Sequence, residues 1–89
     1  MRIAFIGGGV MAQAIIVGVN DAGLDTSIIV GEPFKVRRES LKNDLGVEVT
    51  DSNKEAVTGA DIVVLSVKPQ QLDAVADELK GVLKESQTV

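Results

Sequence analysis

Ile3-Ala4-Phe5-Ile6-Gly7-Gly8-Gly9-Val10-Met11-Ala12 is the stretch whose reading decides the fold. Ile3 to Ile6 form an unbroken apolar run, as expected of a strand covered on both faces. The glycines end that run. From Val10 to about Asn20 the spacing becomes helical, with Met11, Ile15 and Val19 sharing one face and Ala12 and Ile16 the neighbouring one. The same residues, following Arg2, have the outline of a secretory signal or a short anchor. Gln13 and the glycines interrupt that outline, and at roughly 17 residues the stretch is at the lower limit for crossing a bilayer. Strand, glycine turn and buried helix is the better division.

The turn fits G-x-G-x-x-A, and each position has a physical task. Gly7 permits the bend from strand into helix, Gly9 lets a pyrophosphate approach the backbone, and Ala12 keeps the helix close to the sheet. The free N–H groups and positive end of the Val10 helix then face an anion. Alone, such a motif is weak evidence, and a tight turn that binds nothing is the alternative. Its place directly after a strand and directly before a helix is what gives it weight.

The rest of the chain repeats the alternation. Ile28-Ile29-Val30 reads as a second strand, after Gly23 as a left-handed stop to the first helix. Pro33 suits the first turn of a second helix, with Phe34, Leu41 and Leu45 on its apolar face and Gly46 closing it. Val47-Glu48-Val49 is a short third strand. Ser52 and Glu55 have capping-box spacing for a brief helix ending near Gly59. Ile62-Val63-Val64-Leu65 is the fourth strand. Pro69 opens a helix whose face is Leu72, Val75, Ala76, Leu79 and Leu83. Thr88-Val89 reads as the start of a fifth strand, so the chain is expected to be a fragment. Such alternation predicts an α/β fold: a Rossmann-like parallel sheet with helices on both faces, strand order 3-2-1-4-5, in one domain over residues 1–89.

Composition narrows the function. The chain is 45% hydrophobic and 25% charged, an ordinary globular balance. A net charge of −4 and only two aromatic residues, Phe5 and Phe34, argue against a nucleic-acid partner. Without cysteine or histidine, disulfides, thiolate chemistry, the usual zinc ligands and the commonest general base are all missing. No residue has the look of a catalytic acid or base.

Glu32 follows the second strand, about twenty residues past Ala12, where an acid accepts hydrogen bonds from the adenosine ribose hydroxyls and favours NAD. Lys35, Arg37 and Arg38 come next and are candidates for a 2′-phosphate. A carboxylate about 5 Å from that phosphate costs on the order of 1–3 kcal/mol, which two cations can offset. The cofactor therefore stays open between NADP and NAD.

Beyond the glycine turn, two further segments carry a family resemblance. Gly46-Val47-Glu48-Val49-Thr50, with Ser52-Asn53 and Glu55-Ala56-Val57, and Ala60-Asp61-Ile62-Val63-Val64-Leu65-Ser66-Val67-Lys68-Pro69-Gln70 resemble the corresponding segments of pyrroline-5-carboxylate reductases. The V-K-P-Q at Val67 to Gln70 is the most specific of these. The resemblance implies a cytoplasmic enzyme of proline biosynthesis that transfers hydride from NAD(P)H to the C=N carbon of 1-pyrroline-5-carboxylate. It implies that Ile6, Gly7, Gly8, Gly9, Val10 and Met11 hold the pyrophosphate and that Glu32 occupies the adenosine-ribose position. Asn53 falls at a cofactor-contacting position, and Ser66, Val67, Lys68 and Pro69 form the loop beside the nicotinamide-side ribose. It further implies a helical domain, absent here, that dimerises and binds the substrate. The chain departs from the family's usual residues at Gly8, Val10, Glu32 and Ser66. A related β-hydroxyacid or imine reductase, or a stand-alone nucleotide-sensing module, are the competing readings. No membrane partner is expected.

Overall fold

The computed structural model describes residues 1–23 and 26–83. Strands and helices alternate as β1 (Arg2–Ile6), α1 (Val10–Asp21), β2 (Ser27–Gly31), α2 (Lys35–Leu45), β3 (Glu48–Thr50), α3 (Asn53–Val57), β4 (Ile62–Leu65) and α4 (Pro69–Leu79). The strands pair in parallel in the order β3-β2-β1-β4. This is the Rossmann-like order expected up to β4. The fifth strand expected at Thr88-Val89 lies outside the described residues.

Strand alternation sorts the apolar side chains onto two faces, and each face has its own cover. Ala4, Ile6, Ile29 and Val63 lie beneath Ala56 and Val57 of α3 and Val75 and Leu79 of α4. Phe5, Ile28 and Val30 lie beneath Ala12 and Ile16 of α1 and Leu41 of α2. Full burial of each large side chain contributes about 1.5–3 kcal/mol, so β1 and β2, buried on both sides, anchor the sheet. Asp61 ties the beginnings of β1 and β4 together. Its Oδ2 accepts from the Arg2 N–H at 2.8 Å, and its own N–H donates to the Arg2 carbonyl at 2.8 Å.

Several local expectations shift. α1 turns Ala12 and Ile16 inward, while Met11 is 73% exposed and Ile15 42% exposed. Because α1 is apolar nearly all round, periodicity had no polar face with which to orient it. Pro33 precedes the helix instead of opening it: Phe34 is the N-cap of α2 and points to solvent, so Leu41 alone is fully buried on that helix. β3 starts one residue later than expected, at Glu48. On α4 the buried pair is Val75 and Leu79, with Leu72 and Ala76 exposed. Gly23 and Gly46 take the left-handed conformation expected after their helices, at φ +66° and +67°.

Only half of the expected capping box forms at α3. Ser52 Oγ accepts from the Glu55 N–H at 3.2 Å, but the Ser52 N–H is taken by Thr50 Oγ1 at 3.1 Å, leaving nothing for the Glu55 side chain to bond there. Replacing Ser52 with alanine should cost about 1 kcal/mol. In a domain of this size that is a fall of roughly 4–8 °C in melting temperature. Thermal unfolding followed by circular dichroism would check this, and a shift below about 1 °C would show the cap to be idle.

Candidate functional site

At the carboxyl edge of the sheet, backbone pairing runs on past the strand ends. The Gly7 N–H donates to Gly31 O, the Glu32 N–H to Thr50 O and the Ser66 N–H to Ile6 O, each at 2.8 Å. These bonds fix three loops around a cavity of about 840 Å³, within the range usual for small-molecule sites. The chain leaves β1 toward β2 and β3 on one side and reaches β4 on the other. That reversal is where open α/β sheets bind ligands.

The glycine turn forms one wall of the cavity, and its three glycines stand in different surroundings. Gly7 has φ +98°, and a Cβ there would lie 2.6 Å from the Ser66 carbonyl oxygen. The bend therefore excludes side chains both by its conformation and by the nearness of the β4 loop. Gly8 is buried, and a Cβ on it would meet Leu41 Cδ1 at 2.6 Å. A side chain there would have to displace the tip of Leu41, the far end of a flexible side chain, with Val30 Cγ1 next at 3.4 Å. Its carbonyl accepts from Gln13 Nε2 at 3.0 Å. Gly9 is the opposite case: its φ is −74°, and a Cβ would find no atom within 4 Å. The fold does not need a glycine there, so the open space is available to a ligand.

α1 begins at that open space with no side-chain cap and no acid in its first turn. Its leading amides lack intrahelical acceptors, and they carry the positive end of the helix dipole. An anionic diphosphate matches both properties.

The cavity brings together Ile6, Gly7, Gly8, Gly9, Val10, Met11, Glu32, Asn53, Ser66, Val67 and Lys68. Pro69 does not line it; as the first residue of α4, it sets the direction of the loop behind Lys68. Ser66 Oγ is buried and has no hydrogen-bond partner among the described residues. A buried polar group left unpaired costs about 1–3 kcal/mol, so this hydroxyl, beside the glycine turn, is suited to a ligand's polar atom. Asn53 lies across the end of β2. Its Nδ2 donates to Glu78 Oε2 at 3.2 Å, and a Cβ on Gly31 would sit 2.7 Å from its Oδ1.

Glu32 is the least expected in its surroundings. It is only 2% exposed, and Arg37 Nη1 donates to its Oε1 at 2.9 Å. Arg37 also lies 5.8 Å from the centroid of the Phe34 ring. Arg38 Nη1 donates to the carbonyls of Glu32 and Pro33, both at 2.9 Å. Gly31 and Glu78 also line the cavity but were not among the residues singled out from sequence. An isolated glycine closing a strand signals close backbone approach, and that cue was present at Gly31. Nothing in sequence spacing brings Glu78 to Asn53.

Over residues 2–89 the chain matches the family described as NADP oxidoreductase coenzyme F420-dependent. It is 42% identical to a pyrroline-5-carboxylate reductase of Pseudomonas aeruginosa, across 99% of this chain and 33% of that protein. The structure of a pyrroline-5-carboxylate reductase from Coxiella burnetii superposes with a TM-score of 0.87 at 42% identity, covering 93% of this chain and 31% of that one. Prephenate dehydrogenase from A. aeolicus, at 19% identity, also superposes with a TM-score of 0.87, over 100% of this chain and 32% of its own; at that identity the likeness is one of fold. The chain thus spans about a third of the length of the curated relatives it matches. No helix among the described residues is long and apolar enough to cross a membrane.

Proposed function

The chain belongs to the family described as NADP oxidoreductase coenzyme F420-dependent, and from that premise we propose that it is the dinucleotide-binding domain of a pyrroline-5-carboxylate reductase. The observation that carries the reading is the glycine turn: a bend free of side chains, open at Gly9 and backed by an uncapped helix start. The residues present fit NAD(P)H. The amides at the start of α1 bind the diphosphate, Glu32 faces the adenosine ribose, and Ser66 Oγ, Val67 and Lys68 border the nicotinamide-side ribose. Asn53 holds the rim between them through Glu78.

When bound, the reduced nicotinamide supplies the hydride that adds to the C=N carbon of 1-pyrroline-5-carboxylate, giving proline. This chain's residues bind and orient. None of them is assigned to proton transfer or to the substrate carboxylate, which we place on polypeptide outside these residues, in a helical domain that also makes the dimer. The relatives' threefold greater length supports that division. So do the exposed apolar residues Val10, Met11 and Leu72, which face solvent here. In this reading the whole protein is a cytoplasmic biosynthetic enzyme.

Calorimetric titration with reduced dinucleotide, run beside a proline-forming assay, tests both halves of the proposal. The expected result is weak saturable binding with no turnover. Proline formation by these residues alone would overturn the division of labour, and an absence of any dinucleotide binding would overturn the assignment.

A further inference from the structure

We infer that the site prefers NADH to NADPH and that Glu32 sets this preference; the inference rests on the dinucleotide reading above. The carboxylate lies at the end of β2 and lines the cavity. A Cβ on Gly8 would be 3.5 Å from its Oε1, which places the acid directly beneath the turn that faces the phosphates. Arg37 holds Oε1, whereas Oε2 accepts no hydrogen bond from the described residues. A free carboxylate oxygen there matches the paired hydroxyls of an adenosine ribose. A 2′-phosphate in their place would meet like charge.

The neighbouring cations do not reverse this. Moving Arg37 onto a phosphate would strand a carboxylate that is only 2% exposed, and a buried charge robbed of its partner is strongly unfavourable. Arg38 is held by two carbonyls through a single nitrogen, Nη1. Lys35 is 79% exposed and lies 4.0 Å from Glu39 on the same helix, a solvated pair of little strength. The basic turn that follows β2 thus serves its own acid and backbone, not a ligand phosphate.

Separate calorimetric titrations of the 89-residue chain with NADH and with NADPH, repeated on Glu32→Gln, test the inference. The wild type should bind NADH about tenfold more tightly than NADPH. In the variant NADH should weaken and NADPH tighten, bringing the two close to parity. A purely structural role for Glu32 would move both affinities in the same direction, and that result would overturn the inference. NADPH binding as tightly as NADH in the wild type would overturn it too, with the dinucleotide reading intact. If the variant does not fold, the wild-type ratio alone decides. Failure of the wild type to bind either nucleotide would sink the site assignment and this inference with it.

Discussion

Replacing Gly7 with alanine is expected to destabilise the chain by about 2–4 kcal/mol and to abolish nucleotide binding at ordinary temperatures. Two penalties combine. At φ +98° a side chain is strained wherever it sits, and here its Cβ would lie 2.6 Å from the Ser66 carbonyl oxygen. That oxygen is backbone and has little freedom to retreat, because the Ser66 N–H is bonded to Ile6 O at 2.8 Å. Relief would require β1 and the β4 loop to separate. For a chain of 89 residues the loss corresponds to a fall of roughly 10–25 °C in melting temperature. Small domains have little stability in reserve. Thermal denaturation would measure the effect, and an alanine variant that melts with the wild type would show that the bend is not built as described.

Two residues along the chain, the expected outcome inverts. Gly9→Asp should leave stability unchanged or raise it by about 0.3 kcal/mol, since aspartate is only slightly better than glycine as an N-cap and Gly9 occupies that position without strain. A Cβ there meets nothing within 4 Å, so nothing in the fold resists the substitution. Dinucleotide affinity should nevertheless fall about a hundredfold. The new carboxylate would take the amides that otherwise face the diphosphate, and repulsion plus the lost contacts amount to about 3 kcal/mol. Paired melting and titration curves check both halves. A variant that binds as the wild type does would mean that the phosphates sit elsewhere.

The contrast between Gly7 and Gly9 was only partly legible in the sequence. The order of glycines gave their general tasks, and the continuous apolar run at Ile62 to Leu65 located β4 at its observed ends. Both are local signals. The buried face of α1 was harder to read, because a helix of Val, Met, Ala and Ile has no polar side to exclude. Its choice of Ala12 and Ile16 depends on where the sheet lies beneath it. Phe34 likewise follows a helical spacing, yet the chain enters α2 one residue later and the ring is left in solvent.

At the site the same division holds. Residues carried by short motifs, from Ile6 to Met11 and from Ser66 to Lys68, lie together on the cavity. What sequence did not disclose are pairings between elements or across a turn: Asn53 with Glu78, Gly8 with Leu41, and Arg37 turned onto Glu32. By sequence, Lys35, Arg37 and Arg38 are equally candidates for a phosphate and members of a solvated helix start. The partners of Arg37 and Arg38 depend on where α2 sits against the end of β2, whereas Lys35 faces Glu39 one turn along its own helix.

The central claim is that unpaired amides at the start of α1 hold a diphosphate, and amide NMR of the isotopically labelled chain during titration with NADH tests it most directly. Saturable shifts are expected, concentrated at the amides of Gly8, Gly9, Val10 and Met11, with smaller ones near Glu32. Saturable binding that leaves those amides unmoved would contradict it.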